Sequence, residues 1–204
     1  MPIERLNRSL QPWYKIPLCY PAVLTPHPSL LPSRGEGTIL EIGPGRGDFL
    51  FYLAETRPEA RIIGVELKSK RYFKLIDRIR KRKLSNVQVI QADGRIVVAE
   101  VLEPASISEV HINFPDPWPK NRHIKNRLMG PEFLTNCLRI LTKGGTISFI
   151  TDAAFYAEQV RKSGDKIGGL EMSCVDSVET YPTFFAQKWQ KEGRKFYGIK
   201  WIKK

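Results

Sequence analysis

From Thr38 onward, short apolar runs alternate with longer amphipathic stretches. The apolar runs have the length and residue types of β-strands and fall at residues 39–42, 61–65, 87–91, 110–114 and 146–151. Between them, apolar side chains recur at helical spacing, as at Tyr72, Leu75 and Ile76. Strands that alternate with helices in this way predict a parallel sheet with right-handed crossovers and helices on both faces.

The C-terminal part of the chain departs from this alternation. A predicted helix at 155–163 is followed by two candidate strands, 171–178 and 196–202. No long crossover helix separates these two strands, so at least one of them is expected to run antiparallel to its neighbours. The pattern therefore predicts an α/β fold with a mostly parallel seven-stranded sheet that contains one antiparallel strand.

The first 37 residues differ from the rest of the chain. Seven prolines lie there, and six of them recur at a density that suits neither a helix nor a central strand: Pro12, Pro17, Pro21, Pro26, Pro28 and Pro32. A chain of 204 residues fits one domain with an appendage. We therefore expect a proline-rich N-terminal arm at 1–37 and a single folded domain at 38–204.

The composition is that of a globular protein. Hydrophobic residues make up 42% and charged residues 26%, which excludes a disordered or collagen-like chain. The apolar run at 49–54 is the longest and is far shorter than the ~20 residues that span a bilayer. Cys19, Cys137 and Cys174 are scattered, which argues against a zinc ribbon or a disulfide framework. Because no basic-then-apolar leader opens the chain, we expect a soluble cytoplasmic protein without a metal or a membrane contact.

Basic residues dominate the charge and are segregated along the chain. Lys and Arg number 33 against 21 Asp and Glu, which gives a net charge of +12. The excess is concentrated in the segments 68–83, 120–127 and 188–204. Such segregation favours a nucleic acid as partner, because neutralised phosphates release condensed counterions. The alternative is a solvated basic surface that keeps the protein in solution.

A glycine-rich turn follows the first predicted strand. In the run EIGPGRG, Gly43, Gly45 and Gly47 allow the backbone to approach a ligand, and Glu41 precedes them. The spacing is one residue short of the dinucleotide-binding fingerprint. Glu66 ends the second strand, where a carboxylate can bind both hydroxyls of a ribose.

Three further acids, Asp93, Asp116 and Asp152, follow the third, fourth and fifth strands. Each alone could be a helix cap or a turn residue. The carboxyl ends of parallel strands, however, lie at one edge of the sheet, where ligands bind. Acids at that edge suit a cationic ligand with a ribose and repel a pyrophosphate. S-adenosylmethionine, which has a sulfonium and an amino group but no phosphate, therefore fits better than NAD.

The most specific segment is the loop NFPDPWPKNRH at 113–123. Its three prolines predict a rigid, non-helical loop at the end of the fourth strand, and function concentrates in such loops. The loop presents Asp116 as an acceptor and Trp118 as a stacking face, followed by the cations Lys120 and Arg122. The alternative is that the tryptophan only packs and the prolines only turn the chain.

The run FPDPWPKNRH, with EIGPGRG before it and FITD after it, resembles the bacterial tRNA (guanine-N7-)-methyltransferases. The resemblance is close over 38–156 and looser beyond. It implies a Rossmann-like class I fold, S-adenosylmethionine as cofactor, and methylation of guanine N7 at the variable-loop guanosine of tRNA, which yields 7-methylguanosine. It also implies cofactor-site roles for Glu41, Glu66, Asp93 and Asp116, and substrate-site roles for Lys120 and Asp152.

The resemblance has two departures. The family uses a threonine followed three residues later by a glutamate near its C-terminus. Thr183 fits as a substrate-binding residue, but Ala186 stands at the glutamate position, with Gln187 beside it. The second departure is Asn121, where the family often has a lysine.

The implied chemistry needs no general base, because guanine N7 has a lone pair and no proton. We expect alignment and electrostatics to drive the transfer, with Asp116 and Asp152 as catalytic residues that face the developing positive charge. No nucleophilic cysteine is expected. Arg122 and His123, with Lys120, are candidate contacts to the tRNA backbone, and the protein is expected to be a monomer or a homodimer.

Two other functions remain open on the sequence. The Asp-Pro-Trp segment is faintly similar to the Asp-Pro-Pro-aromatic loop of N6-adenine methyltransferases. An RNA-binding module with a relict cofactor pocket would account for Ala186. A dehydrogenase is disfavoured by the glycine spacing and by the number of acids.

Overall fold

The computed structural model describes residues 37–173, 186, 189 and 191–204. The predicted arm before Gly37 lies outside the described residues, as do Thr183, Gln187 and the second part of the candidate strand at 171–178. The division of the chain into an arm and a domain therefore stays a prediction.

Seven strands of the described residues form one sheet. They are β1 (Thr38–Ile42), β2 (Arg61–Glu66), β3 (Val87–Gln91), β4 (Ile107–Asn113), β5 (Leu141–Thr151), β6 (Leu170–Ser173) and β7 (Tyr197–Lys203). Their order across the sheet is β3-β2-β1-β4-β5-β7-β6. The pairs among β1 to β5 are parallel, whereas β7 runs antiparallel to both β5 and β6. The predicted mostly parallel sheet with one antiparallel strand is confirmed.

Helices make most of the connections. They are α1 (Asp48–Thr56), α2 (Ser69–Arg82), α3 (Pro131–Ile140) and α4 (Ala154–Gly164). After β3 the chain forms a helical turn, Gly94–Ile96, that continues as a π-helix, Val97–Val101, and a 3₁₀-helix, Asn121–Asn126, precedes α3. Among the described residues, no helix has both the length and the apolar character needed to cross a bilayer.

Each face of the sheet has its own hydrophobic core. Leu40 and Ile42 of β1 pack with α3 and α4, whereas Ile39, which directly precedes Leu40, packs with α1 and α2. The alternation arises because successive side chains of a strand point to opposite faces of the sheet. Helices cover both faces, so a ligand reaches the sheet at the ends of its strands.

The predicted strand at 146–151 begins earlier in the structure, at Leu141. Leu141 is fully buried, and it pairs with Ile107 of β4. The backbone adopts an extended conformation at Leu141, directly after α3. The strand β5 therefore begins there and includes Gly144 and Gly145. Pairing with a distant strand, which local spacing does not report, sets this boundary.

The basic segment 68–83 forms α2, and part of its charge serves packing. Arg78 and Arg82 reach back to α1, where they pair with Asp48 and Glu55. Both guanidinium groups lie over the ring of Phe51, at 4.6 and 4.8 Å from its centroid. These two arginines therefore hold α2 against α1 in addition to adding to the positive surface.

Candidate active site

The acids singled out by sequence gather at the carboxyl edge of the sheet. Glu41 lies in β1, Glu66 ends β2, and Asp93, Asp116 and Asp152 follow β3, β4 and β5. Two adjoining cavities of about 270 Å³ and about 400 Å³ open at this edge, and we name them the Glu41 cavity and the Glu66 cavity after one lining residue of each. The residues that line both are Gly43, Arg71, Asn113, Phe114 and Asp116.

Glu41 is a buried carboxyl group with an incomplete set of hydrogen bonds. Its Oε1 accepts a hydrogen bond from Asn113 Nδ2 at 3.0 Å, whereas its buried Oε2 has no partner among the described residues. Burial raises the pKa of Glu41 to about 8; the hydrogen bond from Asn113 opposes the rise, and the charges of Asp48 and Glu66 add to it. A cation that entered the cavity would favour the carboxylate and supply the missing partner.

Glu66 is fixed by the backbone of the glycine-rich turn. Gly45 N donates to Glu66 Oε2 at 3.0 Å, and Lys68 N donates to Oε1 at 2.8 Å. Gly43 and Gly45 have φ values of 74° and 58°, a region that favours glycine. The carboxylate therefore has a set orientation in the lining of the Glu66 cavity and keeps lone pairs for the hydroxyls of a ribose.

Gly47 has a packing role that the sequence did not predict. This residue was predicted to bind the cofactor, but it is not among the residues that line the two cavities. It precedes α1 with a φ of 81°, and a Cβ there would lie 2.4 Å from Leu75 Cδ2 and 2.7 Å from Phe51 Cε2. Its missing side chain therefore allows α2 to pack against α1.

Asp93 lines the Glu66 cavity and already has a partner. Its Oδ1 accepts a hydrogen bond from Arg95 N at 2.9 Å, which caps the helical turn, and its Oδ2 accepts one from Arg95 Nη2 at 2.7 Å. The sequence offered two alternatives for Asp93, a helix cap or a residue at the ligand edge. In the structure Asp93 is the helix cap and also lines the cavity.

The loop after β4 has two residues with positive φ and is held by hydrogen bonds from one arginine. Phe114 and Trp118 have φ values of 49° and 44°, which are uncommon for bulky residues. Arg127 Nε donates to Pro117 O at 2.9 Å, and Arg127 Nη2 donates to Trp118 O at 3.0 Å. Arg127 therefore holds the loop that places Asp116 in the lining of both cavities.

Asp152 follows β5 at the same edge and is paired with a residue far along the chain. Its Oδ2 accepts a hydrogen bond from Arg194 Nη1 at 2.9 Å. The cap position of α4 belongs to Ala153, so Asp152 is not a helix cap. It is also not among the residues that line the two cavities, which distinguishes it from the other four acids.

The predicted substrate residues lie beside this edge. Lys120 and Arg122 are exposed at the start of the 3₁₀-helix. Arg122 Nε donates to His123 Nε2 at 3.2 Å, and the His123 ring meets Trp118 edge-on with centroids 5.4 Å apart. Thr183, the remaining predicted substrate residue, lies outside the described residues.

Sequence reasoning missed three residues of the site. Arg71 and Asn113 line both cavities, and Trp189 lines the Glu41 cavity. Asn113 carried a usable signal, because it is a polar residue at the end of an apolar strand. Arg71 and Trp189 were concealed within basic segments, and their positions depend on long-range packing.

The side chains of the two cavities fit S-adenosylmethionine. The unpartnered Glu41 Oε2 suits an ammonium group, and the oriented Glu66 carboxylate suits a ribose. Asp48 and Asp116 add negative charge to the Glu41 cavity, and Arg46 and Arg71, which also line it, suit the carboxylate of the donor. Within residues 37–173 and 191–204, no group of three or more His, Cys, Asp or Glu side chains could hold a metal ion.

This sheet order, with the glycine-rich turn after β1, is that of the class I S-adenosylmethionine-dependent methyltransferase fold. A SAM-dependent methyltransferase from Aquifex aeolicus superposes with a TM-score of 0.60 at 14% identity and covers 82% of both chains. The aminoglycoside resistance methyltransferase NpmB1 gives a TM-score of 0.58 at 17% identity, over 84% of this chain and 89% of that chain. The predicted fold class is confirmed.

Residues 36–199 match the family described as "Putative methyltransferase". Proteins named tRNA (guanine-N(7)-)-methyltransferase are similar at 33% identity in Thermotoga maritima, over 82% of this chain and 54% of that protein, and at 40% in Bordetella pertussis, over 76% and 61%. A third, from Syntrophotalea carbinolica, is 38% identical over 65% of this chain and 57% of its own length. The chain thus spans somewhat more than half the length of these relatives. It belongs to this methyltransferase family, and the resemblance carried by its motifs is confirmed.

Proposed function

We propose that this protein transfers a methyl group from S-adenosylmethionine to N7 of a guanine in tRNA, the variable-loop guanosine, and so forms 7-methylguanosine. The observation that carries the proposal is the pair of acid-lined cavities, one of which holds the buried carboxyl group of Glu41, whose Oε2 has no partner among the described residues. The names of the relatives support a tRNA guanine as acceptor, and so does the loop FPDPWPKNRH.

The proposal assigns the two halves of the donor to the two cavities. Glu66 would accept hydrogen bonds from the ribose hydroxyls, and Asp93 would lie near the adenine. The amino-acid half would enter the Glu41 cavity with its ammonium group toward Glu41 Oε2, while Gly43 and Gly45 allow close approach of the backbone. When bound, the donor supplies an activated methyl group on its sulfonium.

The residues around the acceptor have electrostatic rather than basic roles. Guanine N7 carries no proton, so no side chain has to remove one. Asp116 and Asp152 are the proposed catalytic residues, because carboxylates that face the purine stabilise the positive charge it acquires. Lys120, Arg122 and His123 would bind the tRNA backbone, and Thr183 would contact the target nucleotide.

The test is incubation with labelled S-adenosylmethionine and an unmodified tRNA transcript, followed by nucleoside analysis and mapping of the alkali-labile site. The expected product is 7-methylguanosine in the variable loop. N6-methyladenosine as product would overturn the proposal, and a failure to bind S-adenosylmethionine would indicate a relict pocket.

A pair of variants sharpens this test. Asp116→Asn is expected to lower kcat by roughly a hundredfold, because it removes a charge that faces the transition state. Glu103→Gln is the control, since Glu103 is exposed and lies outside the lining of both cavities. Equal rates for the two variants would argue against the role of Asp116.

A further inference from the structure

The C-terminal segment supplies one wall of the Glu41 cavity. Trp189 lines this cavity and is not among the residues that line the Glu66 cavity. Its ring meets Phe114 edge-on, with centroids 5.3 Å apart and an interplanar angle of 80°. With the adenosine half of the donor in the Glu66 cavity, the indole lies at the sulfonium and amino-acid end.

Arg194 contacts both Trp189 and Asp152, the residue that follows β5. Its guanidinium lies 5.1 Å from the centroid of the Trp189 ring, and its Nη1 donates to Asp152 Oδ2 at 2.9 Å. Arg194 N also donates to Trp189 O at 2.9 Å, which closes the turn between the two residues. The indole and the Asp152 carboxylate are therefore held by one side chain.

The aromatic ring of Trp189 favours a cation, because the face of an indole attracts positive charge. Asp48 and Asp116 line the same cavity and add to this attraction, whereas Arg46 and Arg71, which also line it, oppose it. The donor S-adenosylmethionine carries a permanent positive charge on sulfur, whereas S-adenosylhomocysteine lacks both that charge and the methyl group. The ammonium group proposed to face Glu41 is common to both molecules, so it cannot distinguish them.

We propose that Trp189 contacts the sulfonium and makes the pocket selective for the charged donor over its neutral product, with Arg194 as the positioning residue that holds the indole in place. This inference rests on the proposed function. Its consequence is that loss of the charge after transfer weakens the contact and favours release of the product.

The test compares the dissociation constants of S-adenosylmethionine and S-adenosylhomocysteine by calorimetry. Trp189→Leu is expected to weaken binding of S-adenosylmethionine about threefold to tenfold more than binding of S-adenosylhomocysteine. Trp189→Phe keeps an aromatic face and should lose less of this selectivity. An equal loss for both ligands, or no loss for either, would overturn the inference, because a purely structural role affects both alike.

Two variants test the positioning role of Arg194. Arg194→Gln removes the ion pair with Asp152 and should shift the selectivity in the same direction as Trp189→Leu. Arg194→Lys keeps the charge and should restore the selectivity to within about twofold of the wild type. Wild-type selectivity in Arg194→Gln would contradict this role.

A surface aromatic residue provides the control. Tyr52 on α1 is 45% exposed and lines neither cavity, so Tyr52→Leu should leave both dissociation constants unchanged. If the wild type binds no S-adenosylmethionine, the proposed function fails. If the wild type binds it and Trp189→Leu keeps the wild-type selectivity, this inference alone fails.

Discussion

The buried carboxyl group of Glu41 binds its proton more tightly than an exposed carboxyl group does. Its pKa is raised to about 8 from an ordinary value of 4.5, chiefly by burial. A donor ammonium beside its unpartnered Oε2 would favour the carboxylate form. Binding of the donor and ionisation of Glu41 are therefore expected to be coupled.

We predict that S-adenosylmethionine binding near pH 7 releases close to one proton from Glu41. Calorimetry in two buffers of different ionisation enthalpy measures the number released. Glu41→Gln should abolish the release and weaken binding by roughly tenfold or more, because an ammonium loses a charged partner. Proton release that persists in the variant would show that another group is the source.

The same pKa predicts a pH dependence of stability in the ligand-free protein. Because the folded-state pKa of Glu41 lies above the ordinary value, the folded state binds this proton more tightly than the unfolded state. The free energy of unfolding should fall as pH rises from 4.5 to about 8. Urea unfolding of Glu41→Gln should show a smaller fall, and parallel pH profiles for the two proteins would contradict the assignment.

Cys137 is a structural residue. It is fully buried in α3, and burial raises the pKa of its thiol, so it is not a thiolate nucleophile. Cys137→Ala should retain most methyl transfer and lose about 1 kcal/mol of stability. Cys19→Ala and Cys174→Ala should also remain active. Initial rates check these outcomes, and near-complete loss in any of them would contradict direct transfer.

At the scale of elements, the turn from β1 into α1 combines a special backbone with close packing. Gly47 and Gly144 both have positive φ, 81° and 75°, but only Gly47 of these two has neighbours where a Cβ would be. Gly47→Ala should lower the unfolding free energy by about 3 kcal/mol, through strain and overpacking together. Gly144→Ala isolates the backbone strain and should lose about 1 kcal/mol. Chemical denaturation of both measures the difference, and equal losses would exclude the packing contribution.

The loop after β4 illustrates strain that tertiary contacts offset. Positive φ at Phe114 and Trp118 costs roughly 1–3 kcal/mol per residue. The two hydrogen bonds from Arg127 to carbonyl oxygens of this loop help to offset that cost. Arg127 belongs to a basic segment that predicted contacts to RNA, yet its guanidinium turns inward and orders the loop.

At the scale of the whole molecule, the basic residues beside the carboxyl edge remain available to a polyanion. Arg122→Glu and Lys125→Glu are each expected to weaken tRNA binding and to flatten its dependence on salt by about one unit of slope, with the affinity for S-adenosylmethionine unchanged. Binding measured over a range of salt concentrations gives the slope.

The control for these charge reversals is Lys166→Glu. Lys166 is exposed and follows α4, whose C-terminal end lies away from the carboxyl ends of the parallel strands. This variant should bind tRNA with nearly the wild-type slope. The salt dependence of tRNA binding could be unchanged in Arg122→Glu, or altered equally in Lys166→Glu. Either result would exclude specific binding of tRNA beside the 3₁₀-helix.

Much of the site could be predicted from sequence because parallel strands end at one edge. Four of the five predicted acids line the two cavities, and the glycine-rich turn holds Glu66 as its position suggested. The packing role of Gly47 was not predicted, because a glycine needed for packing and a glycine needed for a ligand look alike in sequence. Trp189 was missed, because its place in the cavity depends on the return of β7 to the sheet.

The order of strands and helices was determined by the sequence itself, since apolar spacing and short connections depend on neighbouring residues. That order brings Glu41, Glu66 and Asp116 to one edge. Only the tertiary structure decided the raised pKa of Glu41, the pairing of Asp152 with Arg194 and the contact of Arg127 with the loop after β4. These properties depend on burial and on contacts between residues far apart in the chain, which local patterns do not encode.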